Sequence, residues 1–496
     1  AVRVGGLGGE ALDVLADADA WRPLRSTVTL AAAVALTAAA VGTGLAWLTT
    51  RTDLPLRKLW AVAAPLPLVY PSFIGAAALL AAVAPGGLLD EVLPGLDRLP
   101  EVEGFGGSWY VLTLFTYPYV YLPVAARLGG LHPSFEEGAR LLGKSPWQVF
   151  RSVVLPQASS AVAAGALLVF LYVVSDFGAV AQLRYRTLTV EVYENRLDDR
   201  ALVLGALLGI VALVVVGLER AAGRRRLGVE AVRSKRPLQL SLGRWRWPAL
   251  AVVALLAANA LLGPLSVLGF WAVKGLSGGG SLGSTQLADL AGPARSTTVL
   301  AVAAAVLAVV AVLPVAYLTT RHRSRLGGAL NAAVVAGFAL PGLLIALSVV
   351  FWTLSAPGWV GGLYQTVPLL VLAYVVHFGA QAMRATQVAV ASVPRRLDDA
   401  ARTLGADRWR RLRSLELPLM LPGLAAGAGL VLLSTIKELP ATLMLRPTGT
   451  DTLALEVWRA RETANWPQAG LSGLALVLLS AVLTWALVLR RAERFD

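Results

Sequence analysis

The amino-acid sequence predicts an all-α membrane protein made of two parallel repeats, and three observations carry that prediction. Of its 496 residues, 56% are hydrophobic and 15% are charged, which leaves too few charges to cover several soluble domains. The apolar residues form blocks of about twenty, the length at which a helix crosses a bilayer. These blocks do not alternate as barrel strands do. Polar and turn residues also recur at constant spacing in the two halves.

Eleven apolar runs of spanning length follow one another along the chain. They lie at about 27–48, 60–84, 109–129, 158–180, 200–218, 248–271, 297–318, 330–354, 363–383, 419–436 and 469–489. We therefore predict a first half at 1–218, a basic cytoplasmic linker at 219–247 and a second half at 248–496. About six helices are expected in each repeat, because the run at 248–271 implies a corresponding helix before the first half.

The basic residues indicate which ends of the spans face inward. When the linker is placed inside and the spans alternate, 30 of the 44 Lys and Arg residues fall on the inner side, as the positive-inside tendency requires. The net charge of +14 is then a signal of membrane topology and not of nucleic-acid binding. The sequence contains no cysteine, which excludes disulfides, thiolate metal sites and a thiol nucleophile.

The repeat is visible in residues that unrelated apolar helices would not share in register. The segment Leu48–Arg51 recurs 270 residues later as Leu318–Arg321. Further matched pairs are Pro71 with Pro341, Gly143 with Gly405, Trp147 with Trp409, and Pro156 with Pro418. Both copies have the same orientation in the membrane, so we expect a pathway between two like units.

Two inner loops share a pattern that predicts a short helix, a glycine turn and a second helix on the inner membrane face. Loop 1, Glu137–Pro156, reads EGARLLGKSPWQVFRSVVLP, and loop 2, Asp399–Pro418, reads DAARTLGADRWRRLRSLELP. The leading acid suits the positive end of a helix dipole, the glycine suits a left-handed cap, and the proline suits the first turn of the next span. Two amphipathic surface helices are the alternative interpretation, but it does not explain the duplication.

The candidate residues of these loops share small size, an acid, a turn glycine or a helix-opening role. They are Glu137, Gly138, Ala139, Gly143, Trp147 and Pro156 in loop 1, and Asp399, Ala400, Ala401, Gly405, Trp409 and Pro418 in loop 2.

Both loops resemble the E-A-A loop of ATP-binding-cassette importer permeases, which has an acid, two alanines, a glycine six residues after the acid and a later Leu-Pro. Loop 1 has Gly138 for the first alanine, and loop 2 has Asp399 for the glutamate. In that family the loop forms a coupling helix that docks on the ATPase. The resemblance implies a homodimeric ATPase inside, an extracytoplasmic substrate-binding protein outside, and a multi-pass location in the bacterial inner (cytoplasmic) membrane. ATP and Mg would bind the ATPase, and this chain would be a transport subunit and not an enzyme, with no cofactor or metal of its own.

The fused arrangement of the two halves narrows the resemblance. Segments 175–178 (SDFG), 437–447 (KELPATLMLRP) and 451–458 (DTLALEVW) resemble the fused permeases of ferric-iron importers. Fused thiamine and polyamine permeases are also similar and stay open as alternatives. The resemblance implies that substrate delivered from outside moves by alternating access.

Two acids near the outer ends of their spans are candidates for the pathway. Asp176 and Glu438 lie 262 residues apart at equivalent positions, and an acid at membrane depth is a functional candidate by default. With Phe177, Leu439 and Pro440, they would line the path of a cationic substrate or form an outer gate. The alternative is that both acids are solvated in the headgroup region or paired with a neighbouring base such as Lys437.

Two other classes of function are weaker. A secondary transporter would need charges or half-helices in mid-membrane, and the spans carry few charges. A membrane enzyme would need clustered catalytic groups, and none stands out. The phosphate-binding pattern GxxxxGK[ST] is absent from the sequence, so ATP has to be bound by another subunit.

Overall fold

The structure is a computed structural model that describes residues 13–14, 16–92, 102–131, 133–196, 198–224, 240–277, 287–322 and 324–484. Within these residues the regular elements are helices, with one isolated bridge between Thr52 and Leu240. The predicted all-α membrane fold is thereby confirmed. The chain divides into two compact units, unit 1 at Ala1–Trp271 and unit 2 at Ala272–Asp496.

The helices of unit 1 alternate long spans with short connecting turns. They are Ala18–Arg51, Arg57–Ala63, Leu66–Val69, Ser72–Val83, Leu88–Val92, Gly104–Thr116, Pro118–Gly129, Pro133–Leu141, Pro146–Val149, Phe150–Val154, Leu155–Ser175, Gly178–Gln182, Leu188–Glu194, Arg200–Arg224, Gly243–Trp245, Arg246–Ala257 and Ala258–Leu262. The helix Gly263–Ser277 begins in unit 1 and runs past its boundary.

Unit 2 repeats this order of long and short helices. Its helices are Ala291–Thr320, Arg325–Ala339, Gly342–Ser355, Gly358–Gly361, Val367–Ser392, Arg395–Thr403, Arg408–Arg411, Leu412–Glu416, Leu417–Ile436, Pro440–Leu445, Leu453–Glu462 and Trp466–Thr484.

Membrane-spanning length is reached by most of the predicted spans. In the described residues, eight helices are long and apolar enough to cross a membrane, and two bent helix pairs raise the number to ten. The predicted span at 109–129 differs, because it is divided at Tyr117 into the helices Gly104–Thr116 and Pro118–Gly129. Pro118 has no N–H with which to continue the helical hydrogen bonds, so the division falls at this residue.

Each unit contains one sharply bent pair of helices. The bend is 93° between Arg57–Val69 and Ser72–Val83 in unit 1, and 110° between Arg325–Gly337 and Gly342–Ser355 in unit 2. Pro71 and Pro341 are the N-cap residues of the second helix in each pair. A proline is tolerated there because the first amides of a helix have no partner within it. Equivalent spans are thus broken at equivalent prolines.

The last helices of unit 1, from Arg246 to Trp271, belong by sequence repeat to the second half but pack on the first. Hydrogen bonds run from Tyr70 Oη to the Leu261 carbonyl (3.3 Å), from Tyr110 Oη to Asn259 Oδ1 (2.9 Å) and from Trp271 Nε1 to the Ala81 carbonyl (2.9 Å). The packing boundary and the repeat boundary therefore differ. The division at 1–218, 219–247 and 248–496 stays a prediction, and linker residues 225–239 lie outside the described part of the chain.

A close helix crossing in unit 1 depends on Gly165. A Cβ placed there would lie 2.6 Å from Val120 Cα and 2.8 Å from the Tyr119 carbonyl oxygen, so the two backbones would have to separate. We expect Gly165→Ala to destabilise the protein by about 2 kcal/mol through overpacking, measured as a lower Tm in detergent. Gly217→Ala is the matched control, since a Cβ at Gly217 has no neighbour within 4 Å. Equal Tm values for the two variants would contradict this packing argument.

Candidate functional site

Loop 1 is preceded and begun by the helix Pro133–Leu141, which ends in a glycine cap. Gly143 has a φ of +78°. Its N–H donates to the Arg140 carbonyl at 2.9 Å, and the N–H of Lys144 donates to the Ala139 carbonyl at 3.2 Å. These two bonds are those of a Schellman motif, in which glycine relieves the steric cost of the left-handed conformation. The predicted left-handed cap at Gly143 is confirmed.

Loop 2 has the same cap in unit 2. The helix Arg395–Thr403 is followed by Gly405, whose φ is also +78°. The Gly405 N–H donates to the Arg402 carbonyl at 3.0 Å, and the Ala406 N–H donates to the Ala401 carbonyl at 3.0 Å. The two loops therefore share a rigid helix end, although most of their side chains differ.

The tips of the two loops expose large apolar side chains that were not among the predicted residues. Leu142 is 83% exposed and Leu404 is 87% exposed, and each directly precedes the capping glycine. An apolar side chain held in this way by a rigid turn is typical of a surface that another protein covers. The signal was present in the sequence, since the two leucines are 262 residues apart like the glycines.

The predicted loop residues divide between exposed and inward positions on their helices. Glu137, Gly138, Asp399, Ala400 and Trp409 are exposed, Ala401 is half-buried and Ala139 is buried. Trp147 falls in the helix Pro146–Val149, but its side chain lies outside the described residues. Each loop thus brings its leading acid and its glycine together at the surface of one short helix.

The second arm of each loop differs from the predicted separate surface helix. In loop 1 the helix that starts at Pro146 continues through a π-helical turn, Phe150–Val154, into the span Leu155–Ser175. The same order occurs in loop 2, with the π-helical turn at Leu412–Glu416. A wider turn fits ahead of Pro156 and Pro418, because proline lacks the N–H that a regular α-turn would use. Each coupling loop is therefore continuous with a membrane span.

The buried acid of loop 1's first helix is Glu136, one residue before the predicted Glu137. Glu136 is 2% exposed, and its Oε1 accepts a hydrogen bond from Arg51 Nη1 at 2.6 Å. Burial raises the pKa of Glu136, while the nearby cations Arg51 and Arg140 oppose that rise. The motif pattern directs attention to the exposed acid, so sequence reasoning missed the buried one.

The outer acids Asp176 and Glu438 each cap a short helix that follows a span. Asp176 Oδ1 accepts from the Ala179 N–H at 3.0 Å, and Glu438 Oε1 accepts from the Ala441 N–H at 3.1 Å. The other carboxylate oxygen of Asp176 accepts from the Ser72 hydroxyl, at the start of the helix that follows the 93° bend. Both carboxylates therefore stabilise breaks in the membrane helices.

The remaining predicted pathway residues lie beside these acids. Phe177 is 2% exposed and Leu439 is 1% exposed, so each packs inside its own unit. Pro440 is the first residue of the helix Pro440–Leu445, and the preceding span already ends at Ile436. The break predicted at Pro440 is thus a gap of three residues between two helices.

The two repeats with a shared inner loop and a shared outer break are also seen when the chain is compared with known proteins. A family described as binding-protein-dependent transport system inner membrane component matches residues 105–227 and 311–491. The chain belongs to this family. As a binding-protein-dependent permease it is a multi-pass protein of the inner membrane and the permease of an ATP-binding-cassette importer. One match falls in each half, as the internal repeat and the resemblance of the loops predict.

Several relatives of this permease carry names that refer to different cargoes. The Fe(3+)-transport system permease protein of Haemophilus influenzae is 28% identical over 92% of this chain and 88% of its own length. A probable molybdenum ABC transporter permease of Haloferax volcanii is 31% identical over 39% of this chain and 69% of its own. A sulfate transport system permease of Escherichia coli is 32% identical over 27% of this chain and 49% of its own.

Proposed function

We propose that this permease imports ferric iron. The observation that carries the proposal is the similarity to a ferric permease along both halves, over 92% of this chain. The molybdenum and sulfate relatives match 39% and 27% of it. The acids Asp176 and Glu438 support a cationic cargo, because carboxylates near a pathway repel oxyanions such as molybdate and sulfate.

Loops 1 and 2 are the proposed docking sites for the ATPase. Each presents an exposed acid, an exposed leucine and a glycine cap of the same geometry. Two like tips suit two like clefts, which favours a homodimeric ATPase that carries the ATP and Mg. Trp147, Pro156, Trp409 and Pro418 would connect each tip to its span, since the helix runs on without a loop.

The proposed cycle uses the two halves, 1–218 and 248–496, joined by the cytoplasmic linker 219–247. ATP binding would close the ATPase dimer and push on both coupling helices. Because these helices continue into spans, the push would rock the halves and alternate access to a path between them. An extracytoplasmic binding protein would deliver the cargo to the outer side, where Asp176, Phe177, Glu438, Leu439 and Pro440 form the proposed gate.

Reconstitution in proteoliposomes with the ATPase and the binding protein tests the cargo. We expect ferric-loaded binding protein to stimulate ATP hydrolysis about tenfold and to give ATP-dependent iron uptake, as coupling between two sites requires. Molybdate, sulfate, thiamine and polyamine loads should leave hydrolysis at its basal rate.

Different failures of this experiment have different meanings. Stimulation by a non-metal load alone would overturn the iron assignment and leave the importer class intact. Uptake without the ATPase, driven by an ion gradient, would instead favour a secondary transporter.

A further inference from the structure

Arg51, the last residue of the first span, has its charge buried at the inner end of unit 1. Its side chain is 0% exposed, and Nη1 lies 2.6 Å from Glu136 Oε1. A buried charge is strongly unfavourable unless a partner of opposite charge is held close to it. The pair therefore fixes the helix Pro133–Leu141, which leads into loop 1, against the end of a membrane span.

The same arginine binds two further segments. Its Nη2 donates to the carbonyl oxygens of Leu128 and Leu131, just after the helix that precedes loop 1. Its backbone carbonyl accepts from the Leu240 N–H at 2.8 Å, and the Asp53 N–H donates to the Leu240 carbonyl at 3.1 Å. Arg51 thus joins the first span, the helix before loop 1, loop 1's own helix and the chain that leaves the linker.

The equivalent residues of unit 2 are arranged differently. Arg321, 270 residues after Arg51, donates to the Val393 carbonyl at 2.7 Å. Asp398, 262 residues after Glu136, pairs with Arg411 at 2.7 Å and with Arg402 at 3.0 Å. The acid is therefore braced within loop 2, whereas the acid of loop 1 is braced against the span.

We infer that Arg51 is a positioning residue that holds loop 1 rigidly to the first span, so that the two loops transmit force through different contacts. This inference rests on the proposed coupling function. Force applied at Leu142 would reach the first span through Glu136 and Arg51. Force applied at Leu404 would first meet the Asp398–Arg411 brace and then pass along the helix into the span Leu417–Ile436. A loose contact at Arg51 would let the loop 1 helix yield while the ATPase closes.

The test is the amount of iron transported per ATP hydrolysed by the reconstituted importer. We expect Arg51→Lys to lower this ratio about fivefold, the lower end of typical coupling between sites, because one ammonium cannot serve Glu136 and two carbonyls at once. ATPase association and the rate of ATP hydrolysis should stay near the wild-type values. The matched control is Arg321→Lys, which should leave the ratio within about twofold, since Arg321 has no ion pair to the loop 2 acid among the described residues.

A second variant keeps the inference testable if Arg51→Lys folds poorly. The double change Arg51→Met with Glu136→Met replaces the buried pair by apolar chains of similar size, which proteins often tolerate. It should assemble with the ATPase and show the same fivefold loss of coupling, about that of Arg51→Lys. A wild-type ratio in this double variant would overturn the role of Arg51 alone. Failure of the wild-type chain to bind any ATPase would instead overturn the proposed function.

Discussion

Replacement of Gly143 and Gly405 together by valine should abolish stable binding of the ATPase. Both glycines have a φ of +78°, a conformation that costs a residue with a Cβ about 1–2 kcal/mol and is least accessible to β-branched residues. The helix ends would unwind, and Leu142 and Leu404 would lose their fixed positions. We expect at least about tenfold less ATPase in co-purification from detergent, the effect of about 1.4 kcal/mol in binding, and a parallel loss of transport.

Two further variants separate docking from general strain. Gly449 has a φ of +83° and open space around it, far along the chain from both loops. Gly449→Val should carry similar backbone strain and still bind the ATPase. Gly143→Asn with Gly405→Asn should retain most of the binding, because asparagine adopts the left-handed conformation more readily than valine. Full ATPase binding by the double valine variant would show that the loop tips are not the docking sites.

Neutralising both outer acids, Asp176→Asn with Glu438→Gln, should remove most iron transport while leaving the fold intact. The amide oxygens can still accept from the Ala179 and Ala441 N–H groups, so the helix caps persist. The loss of two negative charges would raise the barrier to a cation, and we expect about tenfold slower uptake, equivalent to about 1.4 kcal/mol. The measurement is iron uptake in proteoliposomes beside the Tm of the same preparations.

The opposite change tests the structural role of the same groups. Asp176→Ala removes the acceptor for the Ala179 N–H and the Ser72 hydroxyl, and an unsatisfied buried donor costs about 1–3 kcal/mol. Its Tm should fall, whereas the exposed acid variant Glu194→Gln should leave both Tm and uptake unchanged. If the Asn and Gln double variant transports iron at the wild-type rate, the acids serve only as caps and the gate proposal is wrong.

Local signals in the sequence predicted the parts of the loops that depend on local chemistry. The left-handed cap follows from a glycine after a short amphipathic segment, and Gly143 and Gly405 both have it. The breaks at Pro71 and Pro341 and the division before Pro118 likewise follow from the missing N–H of proline. The repeat added confidence in register, because a chance pattern would not recur at a fixed interval.

Contacts between distant segments could not be predicted in the same way. The pairing of Arg51 with Glu136 joins residues 85 positions apart, and no periodicity specifies which acid of the doublet at 136–137 turns inward. The recurrence of arginine at 51 and 321 and of an acid at 136 and 398 was a usable signal. Even so, the two units use these residues differently, so the repeat alone would have predicted the wrong partner for Asp398.

The helices from Arg246 to Trp271 have a further consequence for how the permease is assembled. They descend from the second copy of the repeat, yet Tyr70, Tyr110 and Ala81 of the first copy bind them. Were the two copies separate polypeptides, this contact would need a bimolecular encounter in the membrane. Fusion converts it into an intramolecular one at high effective concentration, which depends only weakly on linker length. The single chain thus secures equal numbers of the two unlike halves and excludes pairs of identical ones.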